Sequence, residues 1–222
     1  MKRKIVFLTL GAIVIVAILL SVALLVPIIE NQENVVRVAC VGDSITEGTG
    51  YPIDLWTLLG PNYVVGNFGV GGATVSTDSN SSYMSQAAFE VAKRFEPKIV
   101  IILLGTNDAN CNLSESNNVF INSYVQLIDA FQGLASKPKI WILEPPPIFN
   151  NSAGLSSEIL NQNVIPNIEQ VANQTHVPII NVNSALADHP KYFSDGVHPN
   201  GDGAAIIAVT VYRAMNPQSG TI

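Results

Sequence analysis

The sequence predicts a three-layer α/β/α sandwich on a five-stranded parallel sheet. Three observations lead there. After residue 34, five short apolar runs alternate with longer stretches of helical periodicity. The connections are long enough for helical crossovers, which parallel pairing requires. The central run, Lys98 to Leu104 (KIVIILL), is apolar at both alternations and reads as a strand covered on both faces.

Each element has a local reason. Residues 35–41 form an apolar, β-branched run that ends in Gly42. Residues 51–59 fit a short helix, and 63–68 a second strand running into a glycine cluster. Residues 85–95 have helical spacing, with Ala88, Val91, Ala92 and Phe95 on one face, and Pro97 stops them. The third strand spans 98–104, and a long helix is expected over 115–134. A fourth strand at 139–143 is closed by Pro145, Pro146 and Pro147. Residues 155–173 read as a helix that Pro166 kinks or breaks. A fifth strand is expected at 177–182, and an alanine-rich helix at 203–215. In such sheets ligands bind beyond the carboxyl ends of the strands, so the chemistry belongs in the loops that follow them. Residues 35–217 account for one domain, with no internal repeat.

Residues 1–34 are a separate region. Ile5 to Ile29 is a 25-residue stretch without a charge, preceded by Lys2, Arg3 and Lys4. As a helix it exceeds the roughly 30 Å hydrocarbon core of a bilayer. It is also longer than a usual signal-peptide core of about 7–15 residues. The expectation is an uncleaved transmembrane signal anchor, with the basic cluster cytoplasmic and the catalytic-sized domain outside the cytoplasm. Cleavage is the alternative, because Ser21-Val22-Ala23 has the small-x-small form of a processing site. A buried core helix is the plain alternative. Residues 30–34 read as a short polar tether.

Without residues 1–34 the chain carries 8 bases against 15 acids. That balance argues against nucleic acid as a partner, since phosphate binding needs a basic surface. Two cysteines, Cys40 in the first strand and Cys111 in a loop, exclude a disulfide-dense scaffold and a four-cysteine zinc site. If their strands are parallel neighbours, the two lie too far apart along the strand axis to bridge, and both are expected as free thiols. Asn-x-Ser/Thr triplets occur at Asn80, Asn112, Asn150 and Asn173, a number that composition alone accounts for.

Four motifs fall at predicted strand ends. Gly42-Asp43-Ser44-Ile45-Thr46-Glu47-Gly48 follows the first strand. A serine at a tight strand-to-helix turn exposes its hydroxyl and its own N–H; the plain alternative is a helix cap. The spacing is not that of a Gly-x-Ser-x-Gly elbow. Asn67-Phe68-Gly69-Val70-Gly71-Gly72-Ala73-Thr74 follows the second strand. Glycines there allow close backbone approach with N–H donors, or make an ordinary turn. No base is near, and the spacing matches neither a P-loop nor a dinucleotide fingerprint. Gly105-Thr106-Asn107-Asp108 follows the third strand. The asparagine amide is a neutral donor suited to an oxyanion, though Asn-Asp is also turn chemistry. Asp195-Gly196-Val197-His198-Pro199-Asn200 precedes the last helix. Histidine is the usual general base near neutral pH, and an acid three residues earlier can fix its tautomer through Nδ1. His176 and His189 lack such a partner at that spacing. Three histidines cannot supply a His₃ metal site in any natural spacing here, and neither metal nor cofactor is required.

A serine, a glycine cluster, an asparagine and an Asp-x-x-His at four successive strand ends together resemble the SGNH hydrolases, the GDSL-type esterases and lipases. The resemblance runs from about Val35 to Ala214. It implies a flavodoxin-like sandwich, a catalytic triad of Ser44, His198 and Asp195, and an oxyanion hole from the Ser44 N–H, the Gly72 N–H and the Asn107 side chain. Gly71 is the alternative to Gly72. Ile45 stands where the family's nominal motif has leucine. Asp43 and Asp108 read as structural acids that hold their loops.

The resemblance implies ester hydrolysis through an acyl-enzyme. The proline loop with Ile148 and Phe149, and the segment from Asp195 to Ala205, loosely resemble members that deacetylate carbohydrates. Short acyl esters on carbohydrates are therefore the expected substrates. Trp56, Tyr51 and Tyr192 are candidates for an aromatic sugar platform, although core packing suits Trp56 better. A membrane tether would equally suit lipid or lysophospholipid esters, but no lid-like amphipathic segment is evident. Transfer of the acyl group to a sugar, or a silent binding module on the same fold, are the remaining readings.

Overall fold

The computed structural model describes residues 20–21, 35–110 and 116–216. Strands β1 (Val36–Gly42), β2 (Tyr63–Gly69), β3 (Ile99–Leu103), β4 (Lys139–Leu143) and β5 (Ile179–Ile180) form one sheet in the order β2-β1-β3-β4-β5. Every pairing is parallel. Helices α1 (Ser44–Gly48), α2 (Tyr51–Leu59), α3 (Ala87–Arg94), α4 (Asn117–Gln132), α5 (Ile165–Thr175), α6 (Val182–Leu186) and α7 (Gly201–Met215) make the connections. The predicted sandwich is the observed one.

Strand alternation divides the core into two layers. Ala39, Val41, Val100 and Ile102 face α3, α4 and α5, where Phe89, Tyr124, Ile128, Phe131 and Ile168 are buried. Val38, Cys40, Ile101 and Leu103 face the other way, onto Tyr51 and Leu55 of α2 and Ile207 and Val211 of α7. Each fully buried aliphatic side chain contributes about 1.5–3 kcal/mol of transfer free energy. Cys40 is free and buried, and burial pushes its thiol up to about 12, so it is inert at neutral pH. Cys111 lies outside the described residues.

The register positions the site. Gly42 pairs with Gly69 on one side and with Leu103 on the other. The carboxyl ends of β2, β1 and β3 therefore coincide, and the first three motifs emerge side by side.

Three expectations need correction. The fifth strand has two residues, not six, because the Asn181 side chain accepts the Ser184 N–H at 2.6 Å and starts α6. Val182 is buried from a helix rather than a strand. The helix expected over 155–173 comes in pieces. Ser156 caps a turn, Ser157–Ile159, then Leu160–Val164 is a π-helical turn before α5. The wider turn leaves Pro166 in the first turn of α5, where its missing N–H breaks no ladder. On α3 the buried face is set by Phe89 and Ala92, and Val91 is 43% exposed. The ring of Phe89 packs edge-on to Phe131, centroids 5.8 Å apart, which rotates the helix from the expected stripe.

The expected transmembrane segment, residues 5–29, falls outside the described residues except for Leu20 and Ser21. Among the described residues no helix is long and apolar enough to cross a membrane.

Candidate active site

Asp43 follows β1 and caps α1, its carboxylate accepting the Ile45 N–H at 2.9 Å. Ser44 is thereby the first helical residue. Its N–H has no intrahelical acceptor and remains available. Its hydroxyl oxygen lies 2.8 Å from His198 Nε2, across 154 positions of sequence. The other ring nitrogen, Nδ1, lies 2.7 Å from Asp195 Oδ2. The second Asp195 oxygen accepts the N–H groups of Val197 (2.9 Å) and His198 (2.8 Å). Burial pushes the Asp195 carboxyl up, but the hydrogen bonds from the His198 and Val197 N–H groups and the imidazole outweigh it and hold the group at about 2.

The glycine turn is fixed from two sides. The Ala73 N–H donates to the Val70 carbonyl at 3.1 Å, and Gly72, with φ +75°, occupies the position of a type II turn that favours glycine. The Gly71 N–H donates to Glu47 Oε2 at 2.8 Å. That bond removes Gly71 from the donor set and leaves the next N–H, of Gly72, as the one offered. Asn107 donates from Nδ2 to the Ala73 carbonyl at 2.9 Å. The amide carries two protons, so one anchors it and one stays available. Asp108 accepts the Val75 N–H at 3.0 Å and the Ser76 N–H at 3.3 Å, holding the far side of the same loop. Asp43 and Asp108 both hold their loops by hydrogen bonds.

The geometry is a hydroxyl, an imidazole and a carboxylate in series beside three neutral donors. The model of the GDSL-like lipase/acylhydrolase family matches residues 40–206. This chain belongs to that family. As a GDSL-family member it is 31% identical, over 210 residues, to an acetylxylan esterase from Xylanibacter ruminicola. The match covers 83% of this chain and 44% of that protein, so the chain spans less than half the length of this relative. A carbohydrate acetylesterase from Sinorhizobium meliloti superposes with TM-score 0.67 at 16% identity, over 82% of this chain and 99% of the other. The aryl esterase of M. smegmatis gives TM-score 0.65 at 18% identity, over 82% and 99%. These two likenesses show the shared fold.

Two contacts of this GDSL-family site are not expected from the sequence, although the loop after β4 stands out there for its likeness to members that deacetylate carbohydrates. That of Glu47 is one; its place in the first motif was its only signal. The other is made by the loop after β4. The Phe149 N–H donates to the Gly196 carbonyl at 2.8 Å, and the Phe149 ring meets Phe193 at 5.0 Å. Gly196 has φ +80°, and a β-carbon there would overlap the Asn150 carbonyl. The loop thus clamps the turn that carries Asp195 and His198.

The aromatic platform is not formed as expected. Tyr51 is fully buried, its hydroxyl 3.2 Å from Thr46 Oγ1. Trp56 donates from its indole to the Tyr63 carbonyl at 2.7 Å. Tyr63 pairs with Val36 at the amino end of the sheet, so Trp56 belongs to the rim remote from Ser44. Tyr192 remains near the catalytic turn, its carbonyl accepting the Asn200 N–H at 2.7 Å and its ring stacked on His189 at 5.0 Å. Among the described residues no group of three His, Cys, Asp or Glu side chains could hold a metal ion.

Proposed function

We propose that this chain is a serine esterase that hydrolyses short acyl esters, acetyl groups on carbohydrate above all. The observation that carries the reading is the continuous contact from Ser44 Oγ through the His198 ring to Asp195, at 2.8 and 2.7 Å. Both lie in the range at which a proton can pass from nucleophile to base.

In this mechanism Ser44 Oγ attacks the ester carbonyl carbon while His198 Nε2 takes its proton. The carbonyl oxygen becomes an oxyanion, held by the Ser44 N–H, the Gly72 N–H and the Asn107 Nδ2 proton. Collapse breaks the bond to the leaving alkoxide, which takes the proton from His198 and departs as the alcohol. Water then attacks acyl-Ser44, giving its proton to His198. The second collapse releases the carboxylic acid and restores Ser44. Asp195 stays anionic throughout at neutral pH and stabilises the imidazolium.

The acetylxylan and carbohydrate acetylesterase relatives support the substrate class. The test is hydrolysis of p-nitrophenyl esters of increasing chain length beside acetylated xylan. The expected result is preference for acetyl and release of acetate from the polymer. Unchanged esterase activity in Ser44→Ala would overturn the assignment. We further propose that residues 5–29 anchor the chain in a membrane with the domain on the extracytoplasmic side. Extraction of the full chain from membranes by alkaline carbonate would overturn that part.

A further inference from the structure

The eight bases after residue 34 are segregated in the fold. Arg37 is the second residue of β1, and its carbonyl accepts the Lys98 N–H at 2.8 Å. The Lys98 carbonyl accepts the Lys139 N–H at 2.9 Å. Arg37 and Lys98 stand side by side at the amino rim of the sheet, and Lys139, in register with Ile99, lies at the same rim with its side chain on the opposite face. Lys137 stands two residues before β4, and Lys93 and Arg94 end α3 beside the entry to β3. Arg213 lies in the last turn of α7, far from the catalytic turn where that helix begins. Only Lys191 is elsewhere.

The carboxyl rim has the opposite character. Glu47, Asp195 and Asp202 are exposed there, with Asp108 half-buried and Asp43 and Glu144 buried behind them. At the basic rim Glu96 approaches Arg37 at 3.6 Å and Glu90 meets Lys93 at 2.7 Å. Among the described residues Arg94, Lys98, Lys137 and Lys139 are exposed and have no carboxylate within ion-pair distance. The two rims are about 20 Å apart along a seven-residue strand. A segregation of this size, in a domain with an excess of acids, gives a directed field rather than a diffuse one.

We propose that the amino rim is a docking surface for an anionic phospholipid bilayer. Charge complementarity is one support. The point of chain entry is the other: the domain begins at Val36, at this rim, seven residues after the uncharged stretch 5–29 ends. Docked this way, the acidic rim is repelled by the same bilayer, and Ser44 opens toward the aqueous side, where a polymeric or dissolved ester is met. The docking does not depend on the esterase reading.

The test mixes the full chain with vesicles of phosphatidylcholine alone or with about 30 mol% phosphatidylglycerol, at low salt, then labels amines and locates them by mass spectrometry. Lys98, Lys137 and Lys139 should be labelled at least about five-fold less on the anionic vesicles, with Lys191 unchanged. About 0.5 M salt should abolish the difference, because screening lengths fall to a few ångströms. In the variant combining Lys98→Glu and Lys137→Glu, labelling of Lys139 should no longer depend on lipid charge, while hydrolysis of a soluble ester is unaltered. Equal labelling on both vesicles overturns the proposal. So does protection by a soluble polyuronate but not by vesicles, which would mark the rim as a site for an acidic polymer. Flotation with neutral vesicles reports residues 5–29 separately, so failure of the anchor and failure of the rim are distinguishable.

Discussion

Glu47 Oε2 accepts the backbone N–H of Gly71 at 2.8 Å. The bond ties the helix that begins at Ser44, the proposed nucleophile, to the turn that carries Gly72, the proposed second oxyanion donor. Glu47→Ala should release the turn and lower kcat about ten-fold with KM little changed, because the lost contact acts on the oxyanion and not on the bound ester. Glu47→Gln keeps an acceptor oxygen and should restore most of the rate. Equal loss in both variants, or a change confined to KM, would remove Glu47 from this role.

Asp195→Asn keeps the shape of the catalytic turn but offers His198 Nδ1 a different partner. The rate should fall by about 10⁴, and combining it with Ser44→Ala should cost little more than Ser44→Ala alone. Additive losses measured by kcat/KM would mean the two residues do not act as a unit.

Stability should depend on pH through two carboxyls of opposite sign. Burial pushes Asp43 up to about 6 from an ordinary 3.8, against the opposing Ile45 N–H. The native state then holds the extra proton, so stability is greatest below the unfolded value and falls as pH rises toward 6. The loss amounts to about 3 kcal/mol, from 1.36 kcal/mol per pH unit. Asn at position 43 can still cap α1, so Asp43→Asn should gain on the parent between pH 4 and 7, read by urea unfolding. Asp195 works the other way. Held at about 2, it supplies stability above its unfolded value that is lost as pH falls toward 2. A flat difference between Asp43→Asn and the parent would contradict the burial argument.

Gly196→Ala should be the most damaging single methyl in the catalytic turn. The left-handed backbone and the overlap with the Asn150 carbonyl both oppose it. A cost of about 2–4 kcal/mol is expected, together with a loss of activity as His198 shifts from Ser44. Thermal unfolding and kcat measured together check it. A variant with parental stability would show that the loop after β4 yields.

Local sequence determined much of this protein. The limits of α2 and β4 are those the apolar spacing predicts, because a helix stripe and a two-sided strand are written within one element. The first three motifs sit at strand ends for the same reason, since turn residues follow each apolar run, whereas the fourth lies beyond β5 and α6, just before α7. Tertiary structure decided the rest. Phe89, not Val91, faces the core because a ring on α4 meets it. Two residues suffice for β5 because Asn181 caps a helix. The bonds from Glu47 to Gly71 and from Phe149 to Gly196 join chain segments 24 and 47 positions apart. The gathering of Arg37, Lys98 and Lys139 at one rim, on both faces of the sheet, exists only through strand register. Such contacts are satisfied by whichever backbone group the fold delivers, so no local pattern of residue types encodes them.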